Sequence, residues 1–192
     1  MTPRSLLIAG AVVAATLATL TVPVSRYAVW NVTASVPTGL YAIRGKASLH
    51  VGERVVIKPP PDLRSLLAER GYLPTGVPLL KRIAAVSGQR ICRFGHGVTI
   101  DGEFVGAART RDRLGRKLPA WFGCRTLRAG EMFVMNPAAL DSFDGRYFGV
   151  LRMADVIGRA VPVWTDEAGN GDHVWFADPR TSDPSTTTTQ GD

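Results

Sequence analysis

VTIDGEFV, residues 98–105, places Asp101-Gly102 between two alternating apolar runs. That pattern is a strong short-range signal for a tight antiparallel hairpin, because Asp and Gly tolerate the positive φ angles its turn demands. Working outward, similar segments recur: LYAIR at 40–44, GERVVIK at 52–58, LLKRIAAV at 79–86 and EMFVM at 131–135. Residues 148–151 and 156–163 read as further strands. KPPP at 58–61 stops the second strand, since Pro has no N–H for a ladder. DLRSLLAERG at 62–71 is the one helical pattern, with Asp62 as N-cap, Leu63, Leu66 and Leu67 on one face, and Gly71 at the end. Many short strands, one short helix and frequent turn signals predict a mostly β, antiparallel domain.

The 192 residues suit one domain plus attachments, and 45% hydrophobic content is enough for a packed core. A net charge of +7 permits an anionic partner, either nucleic acid or anionic lipid. The charge concentrates at 107–128 in Arg109, Arg111, Arg113, Arg116, Lys117, Arg125 and Arg128, against one acid, Asp112. No charged residue occurs from Ser5 to Ser25, and about 20 apolar residues cross a bilayer as a helix. An uncleaved anchor at 5–25 is favoured over a cleavable signal peptide, whose apolar region would be shorter. The expected organisation is a cytoplasmic terminus at 1–4, the anchor at 5–25, a folded domain at 26–165 and a disordered polar tail at 166–192.

No metal cluster is predicted, because His50, His96 and His173 are scattered. Cys92 and Cys124 match no zinc spacing; one disulfide and two buried thiols both remain open. A Ser-His-Asp triad has weak support, and no Gly-rich loop precedes a helix to cradle phosphate. SVPTGLY at 35–41 holds Ser35 just beyond the apolar run, with Pro37 to stiffen the loop and Gly39 to let the backbone turn or approach a substrate closely. A Ser hydroxyl needs a base, and a Lys amine desolvated among apolar groups can be one. Lys81, between Leu80 and Arg82 in an apolar strand, is the candidate; on that stretch alone a solvated strand end is the commoner meaning. In DSFDGRYFG at 141–149, Ser142, Asp144 and Arg146 alternate, so an extended chain places them on one side. Ser142 could then orient the amine, and Asp144 could pair with Arg146 to stiffen the loop; an ordinary polar turn, for which Asp-Gly is a common dipeptide, is the other meaning of the stretch.

Together these segments resemble the type I signal peptidases, membrane-bound serine peptidases with a Ser–Lys dyad. The likeness spans about residues 5–163 and rests on four boxes in order: Ser35-Val36-Pro37; Gly52-Glu53-Arg54-Val55-Val56; Lys81-Arg82 through Gly88-Gln89; and Ser142 through Gly149. The short S-V-P box, the RGYLPTGVPLLKR stretch and Asn136-Pro137 look like the conjugative-transfer branch, the TraF type. Gln89 replaces the usual acid of the lysine box.

The resemblance implies Ser35 as nucleophile, Lys81 as general base, Ser142 as the serine that orients the lysine, and Asp144 with Arg146 as the bracing pair. It implies Thr33 as a hydroxyl donor to the oxyanion beside the Ser35 N–H. It further implies no cofactor, a bacterial inner-membrane location with the catalytic domain in the periplasm, and a Cys92–Cys124 disulfide. The implied substrate is a membrane-embedded pilin precursor or, as the alternative, exported preproteins in general. A basic nucleic-acid-binding module, suggested by Trp121 and Phe122 near the arginines, and an inactive scaffold are the remaining rivals; no nucleic-acid partner is expected.

Overall fold

The structure, a computed structural model, describes residues 3–20 and 27–178. An apolar helix, α1 (Pro3–Leu20), comes first. Among the described residues no helix is long and apolar enough to cross a membrane; the last part of the expected 5–25 anchor lies outside them. In chain order β1 (Ala28–Asn31), β2 (Thr38–Arg44) and β3 (Arg54–Ile57) lead to α2 (Pro61–Glu69), then β4 (Leu79–Val86), β5 (Arg90–Phe94), β6 (Gly97–Ile100) and β7 (Glu103–Ala107). After these come β8 (Gly123–Thr126), β9 (Glu131–Val134), the helical turn α3 (Gly145–Phe148), β10 (Val150–Arg152), β11 (Val156–Asp166) and β12 (Val174–Trp175).

Among the described residues two antiparallel sheets form. The larger runs β1-β2-β11-β3-β4-β9-β10, with β12 beside β11; the smaller runs β7-β6-β5-β8. The predicted hairpin is β6–β7, and its turn residues Asp101 and Gly102 both hold positive φ, 51° and 91°. The long β11 lies between β2 and β3, so it ties the N-terminal hairpin to the centre of the larger sheet. Val55, Ile57, Ile83, Met132 and Val134 form one core under α2, which supplies Leu63 and Leu67. Phe133, Met135, Ile91 and Val98 pack the two sheets together. Burying such apolar area stabilises by about 25 cal/mol per Å².

Three expectations change. Asp62 lies in the first turn of α2, while the N-cap is Pro60 with Pro61 following; a Pro fits there because the first-turn N–H groups have no helical partner. The segment after Ser142 is not extended. The Asp144 side chain accepts the Arg146 N–H and caps α3, so the chain turns there and the next strand begins only at Val150. The stretch from 166 to 178 is folded, although it is polar and was expected to be disordered. Asp166 accepts the Asn170 and Gly171 N–H groups in a turn. His173 and Trp175 stack on Trp164, and Glu167 pairs with the buried Arg54. Residues 179–192 lie outside the described residues.

Gly39 (φ +128°) approaches β11: a Cβ there would meet Trp164 O at 2.2 Å and Thr165 Cα at 2.8 Å. The close neighbour of this glycine is therefore the protein's own backbone. Gly39→Ala is expected to destabilise by about 1–3 kcal/mol from backbone strain alone, before the overlap is counted. The urea midpoint checks it: the midpoint falls while the slope stays constant.

Candidate functional site

Ser35 sits in the loop between β1 and β2, and this loop is held from within by Asn31. The Asn31 Nδ2 donates to the carbonyls of Thr33 (2.8 Å), Val36 (3.0 Å) and Pro37 (3.0 Å). Its Oδ1 accepts from the Thr33 N–H at 3.2 Å and from the Thr33 hydroxyl at 3.0 Å. One buried carboxamide thus replaces the backbone partners that a tight loop lacks. Thr33 Oγ1 lies 3.1 Å from Ser35 Oγ. With its single proton on Asn31, Thr33 is left as the acceptor of the Ser35 hydroxyl.

A second support comes from the other end of the loop. The Tyr41 hydroxyl donates to Pro37 O at 2.7 Å. Burial pushes the Tyr41 phenol well above its ordinary range, so it stays a donor. Arg54, itself buried, donates to Tyr41 Oη and reaches Glu167 with both terminal nitrogens. The segment read from sequence as tail therefore braces the Ser35 loop through Arg54 and Tyr41.

Lys81 is on β4, central in the larger sheet, opposite Val55 of β3. Alternation turns it to the buried face, and it is 4% exposed. The Lys81 Nζ donates to Ser142 Oγ at 3.1 Å. Desolvation lowers its pKa to about 8; the nearby Asp144 carboxylate opposes that shift and Arg146 adds to it. A buried amine with that pKa spends a useful fraction of time neutral near neutral pH, and donating one N–H to Ser142 leaves its lone pair for another partner.

Asp144 and Arg146 form a fully buried pair: Nε to Oδ1 and Nη2 to Oδ2, both at 2.9 Å. The planar guanidinium fork suits this two-point contact. Arg146 Nη2 also reaches Ala139 O at 2.7 Å and Ser142 O at 3.3 Å, and its own carbonyl accepts from Arg93. The pair thereby closes the loop that presents Ser142.

The structure brings Thr33 to Ser35, and Ser142, Asp144 and Arg146 to Lys81. The sequence reading missed Asn31, Tyr41, Arg54, Glu167 and the role of Asn136, whose Nδ2 donates to Ser35 O at 2.7 Å. Asn31 and Asn136 carry no local pattern; only a buried loop that needed partners could have pointed to them. Cys92 and Cys124 face each other across β5 and β8 and form a disulfide. Within the basic segment Arg109 and Arg113 bind Asp141, Arg116 binds Asp112 and Arg125 binds Glu131. Among the described residues no group of His, Cys, Asp and Glu could hold a metal.

A family model described as signal peptidase, peptidase S26, matches residues 3–165. No curated protein matches the sequence. Among solved structures, the chain is similar to a signal peptidase I from Enterococcus faecalis V583, at 18% identity and a TM-score of 0.36, covering 58% of this chain and 96% of that one.

Proposed function

The chain belongs to the peptidase S26 signal peptidase family of serine peptidases, and we propose that it cleaves by a Ser35–Lys81 dyad. The observation that carries this reading is Lys81: an amine buried in a β core, depressed to about 8 and oriented by Ser142. Neutral Lys81 takes the Ser35 proton as Ser35 Oγ attacks the scissile carbonyl. The Ser35 N–H and the Thr33 hydroxyl meet the oxyanion, for which Thr33 turns its proton away from Asn31. One such donor contributes on the order of 3 kcal/mol. Protonated Lys81 then passes its proton to the departing amine, and water attacks the acyl-enzyme to release the acid and free Ser35.

The sign of the pH dependence follows. Below about pH 8 Lys81 holds its proton and cannot accept another; above it the amine is free. Acylation of Ser35 by a penem is expected to rise with pH through a midpoint near 8. A rate that is flat from pH 6 to 10, about two units either side of that midpoint, would sink the assignment of Lys81 as base.

The substrate we infer is a pilin precursor of a conjugative transfer apparatus. The short Ser35-Val36-Pro37 box, the RGYLPTGVPLLKR stretch and Asn136-Pro137 support this branch. The uncharged run from Ser5 to Ser25 supports a membrane anchor, which would hold Ser35 close to the bilayer and to a substrate embedded in it. The disulfide supports a domain on the oxidising, periplasmic side. The alternative is general removal of leader peptides from exported proteins. Incubating the full chain in lipid with a candidate pilin precursor, and separately with an ordinary preprotein, tests this by product mass. A trimmed linear pilin means hydrolysis. A product one water lighter means that the pilin's own amine resolved the acyl-enzyme and closed a ring. Cleavage of the ordinary preprotein alone would overturn the pilin assignment.

A further inference from the structure

Asn136 stands between the two halves of the site. It begins the loop 136–142, and Ser142 ends it. From the first residue, Nδ2 donates to Ser35 O at 2.7 Å; at the last, Oγ accepts from Lys81 Nζ at 3.1 Å. The loop is therefore a strap with one end on each member of the proposed dyad. Its backbone is locked by the buried pair beneath it: the Asn136 N–H donates to Asp144 Oδ2 at 3.3 Å, and Arg146 Nη2 donates to Asn136 O, Ala139 O and Ser142 O. The Asn136 Oδ1 is also engaged, accepting the Ala138 N–H at 3.2 Å, which orients the carboxamide so that its NH2 faces the Ser35 loop. On the opposite side Asn31 takes the carbonyls of Thr33, Val36 and Pro37.

We infer that Asn136 is a positioning residue for the reaction: by holding the Ser35 carbonyl to the strap that also holds Lys81, it sets the distance and direction of the nucleophile from its base. The inference rests on the Ser35–Lys81 reading above. The carbonyl it grips belongs to the 35–36 peptide, so the bond restrains the peptide plane attached to the Cα from which the Ser35 hydroxyl projects. Asn136 gives and takes no proton in the chemistry. Its loss therefore acts on the rate of attack and leaves the titration of the base alone.

The experiment uses the full chain in detergent, with a penem as the serine-reactive probe and intact mass as the readout. Asn136→Leu keeps the branched shape, with a somewhat larger volume, and removes both the donor to Ser35 O and the acceptor of the Ala138 N–H; Asn136→Gln keeps a donor and an acceptor one methylene further out. A nucleophile misplaced by about 1 Å loses on the order of 100-fold in rate. Asn136→Leu is expected to lower the acylation rate constant about 10- to 100-fold, with the pH midpoint unmoved. Asn136→Gln is expected to regain part of that loss. With a peptide that the wild-type protein cleaves, kcat falls and KM holds. Asn136→Ser, small and compatible with the loop, supplies the same test if the Leu variant does not fold.

Acylation by Asn136→Leu within twofold of wild type overturns the inference. So does a loss accompanied by a moved pH midpoint, which would place the effect on Lys81. Ser35→Ala, run alongside, separates the two readings. If Ser35→Ala still forms the adduct, the nucleophile assignment has failed. If it does not, and Asn136→Leu reacts like wild type, only the positioning role has failed.

Discussion

Lys81→Met is expected to abolish acylation of Ser35 while the fold survives or gains. Met has nearly the length of Lys and no charge, so it fills the same buried position on β4. An amine that is 4% exposed is held out of water, with the Ser142 hydroxyl as its hydrogen-bond partner. Exchanging such a group for an apolar one of similar volume is often neutral or stabilising. The loss falls on the chemistry: the described hydrogen bonds of Ser35 reach a hydroxyl, Thr33, and a carboxamide, Asn136, neither of them a base, so the proposed proton acceptor is Lys81, which Ser142 orients. Removing one member of a nucleophile–base unit lowers kcat by on the order of 10⁴-fold or more. Thermal melting and the rate of penem adduct formation, measured on one sample of each protein, decide the matter. A variant that melts like wild type and still labels at a tenth of its rate would remove Lys81 from the mechanism.

Arg146→Met is expected to act on the fold. It leaves the Asp144 carboxylate fully buried with its two-point partner gone. It also removes the guanidinium donor from the carbonyls of Ala139 and Ser142, of which the Ala139 carbonyl keeps the Ser142 N–H. Breaking a buried pair from one side costs about 3–5 kcal/mol, because the remaining charge has neither water nor a partner. Asp144→Asn combined with Arg146→Met removes both charges and is expected to lose clearly less than the sum of the two single changes. Urea unfolding of the four proteins gives the coupling. Strict additivity, or a single-variant loss under about 1 kcal/mol, would show that the pair is not the keystone of the loop.

Legibility in the sequence followed the range of the interactions. The hairpin at Asp101-Gly102, the strands at 40–44, 52–58, 79–86, 131–135 and 156–163, and the short helix all depend on neighbours within a few positions, and appear near their patterns, while the strand read at 148–151 is displaced to Val150–Arg152. Errors arose where a side chain changed the local outcome. Asp144 folded onto the Arg146 N–H and turned an apparently extended stretch into α3. The polar run after Asp166 looked unable to fold, yet Trp164 offered it a face on which His173 and Trp175 stack. Composition describes what a segment can bury by itself, and takes no account of a surface supplied by a strand already in place.

By itself the sequence determined the antiparallel β class, the uncharged run at 5–25, and the short set of residues, Ser35, Lys81, Ser142, Asp144 and Arg146, that carry the family likeness. Those are properties of residue type, order and local period. Tertiary structure decided which distant groups meet. The register of β5 against β8 set Cys92 opposite Cys124. The passage of β11 between β2 and β3 brought Gly39 against Trp164, and Glu167 beyond it onto Arg54. The fold of the 136–142 loop carried Asn136 to the Ser35 carbonyl. A carboxamide has no periodicity and no preferred partner in sequence. What it binds is settled by which unpaired carbonyl the packed chain leaves within about 3 Å of it.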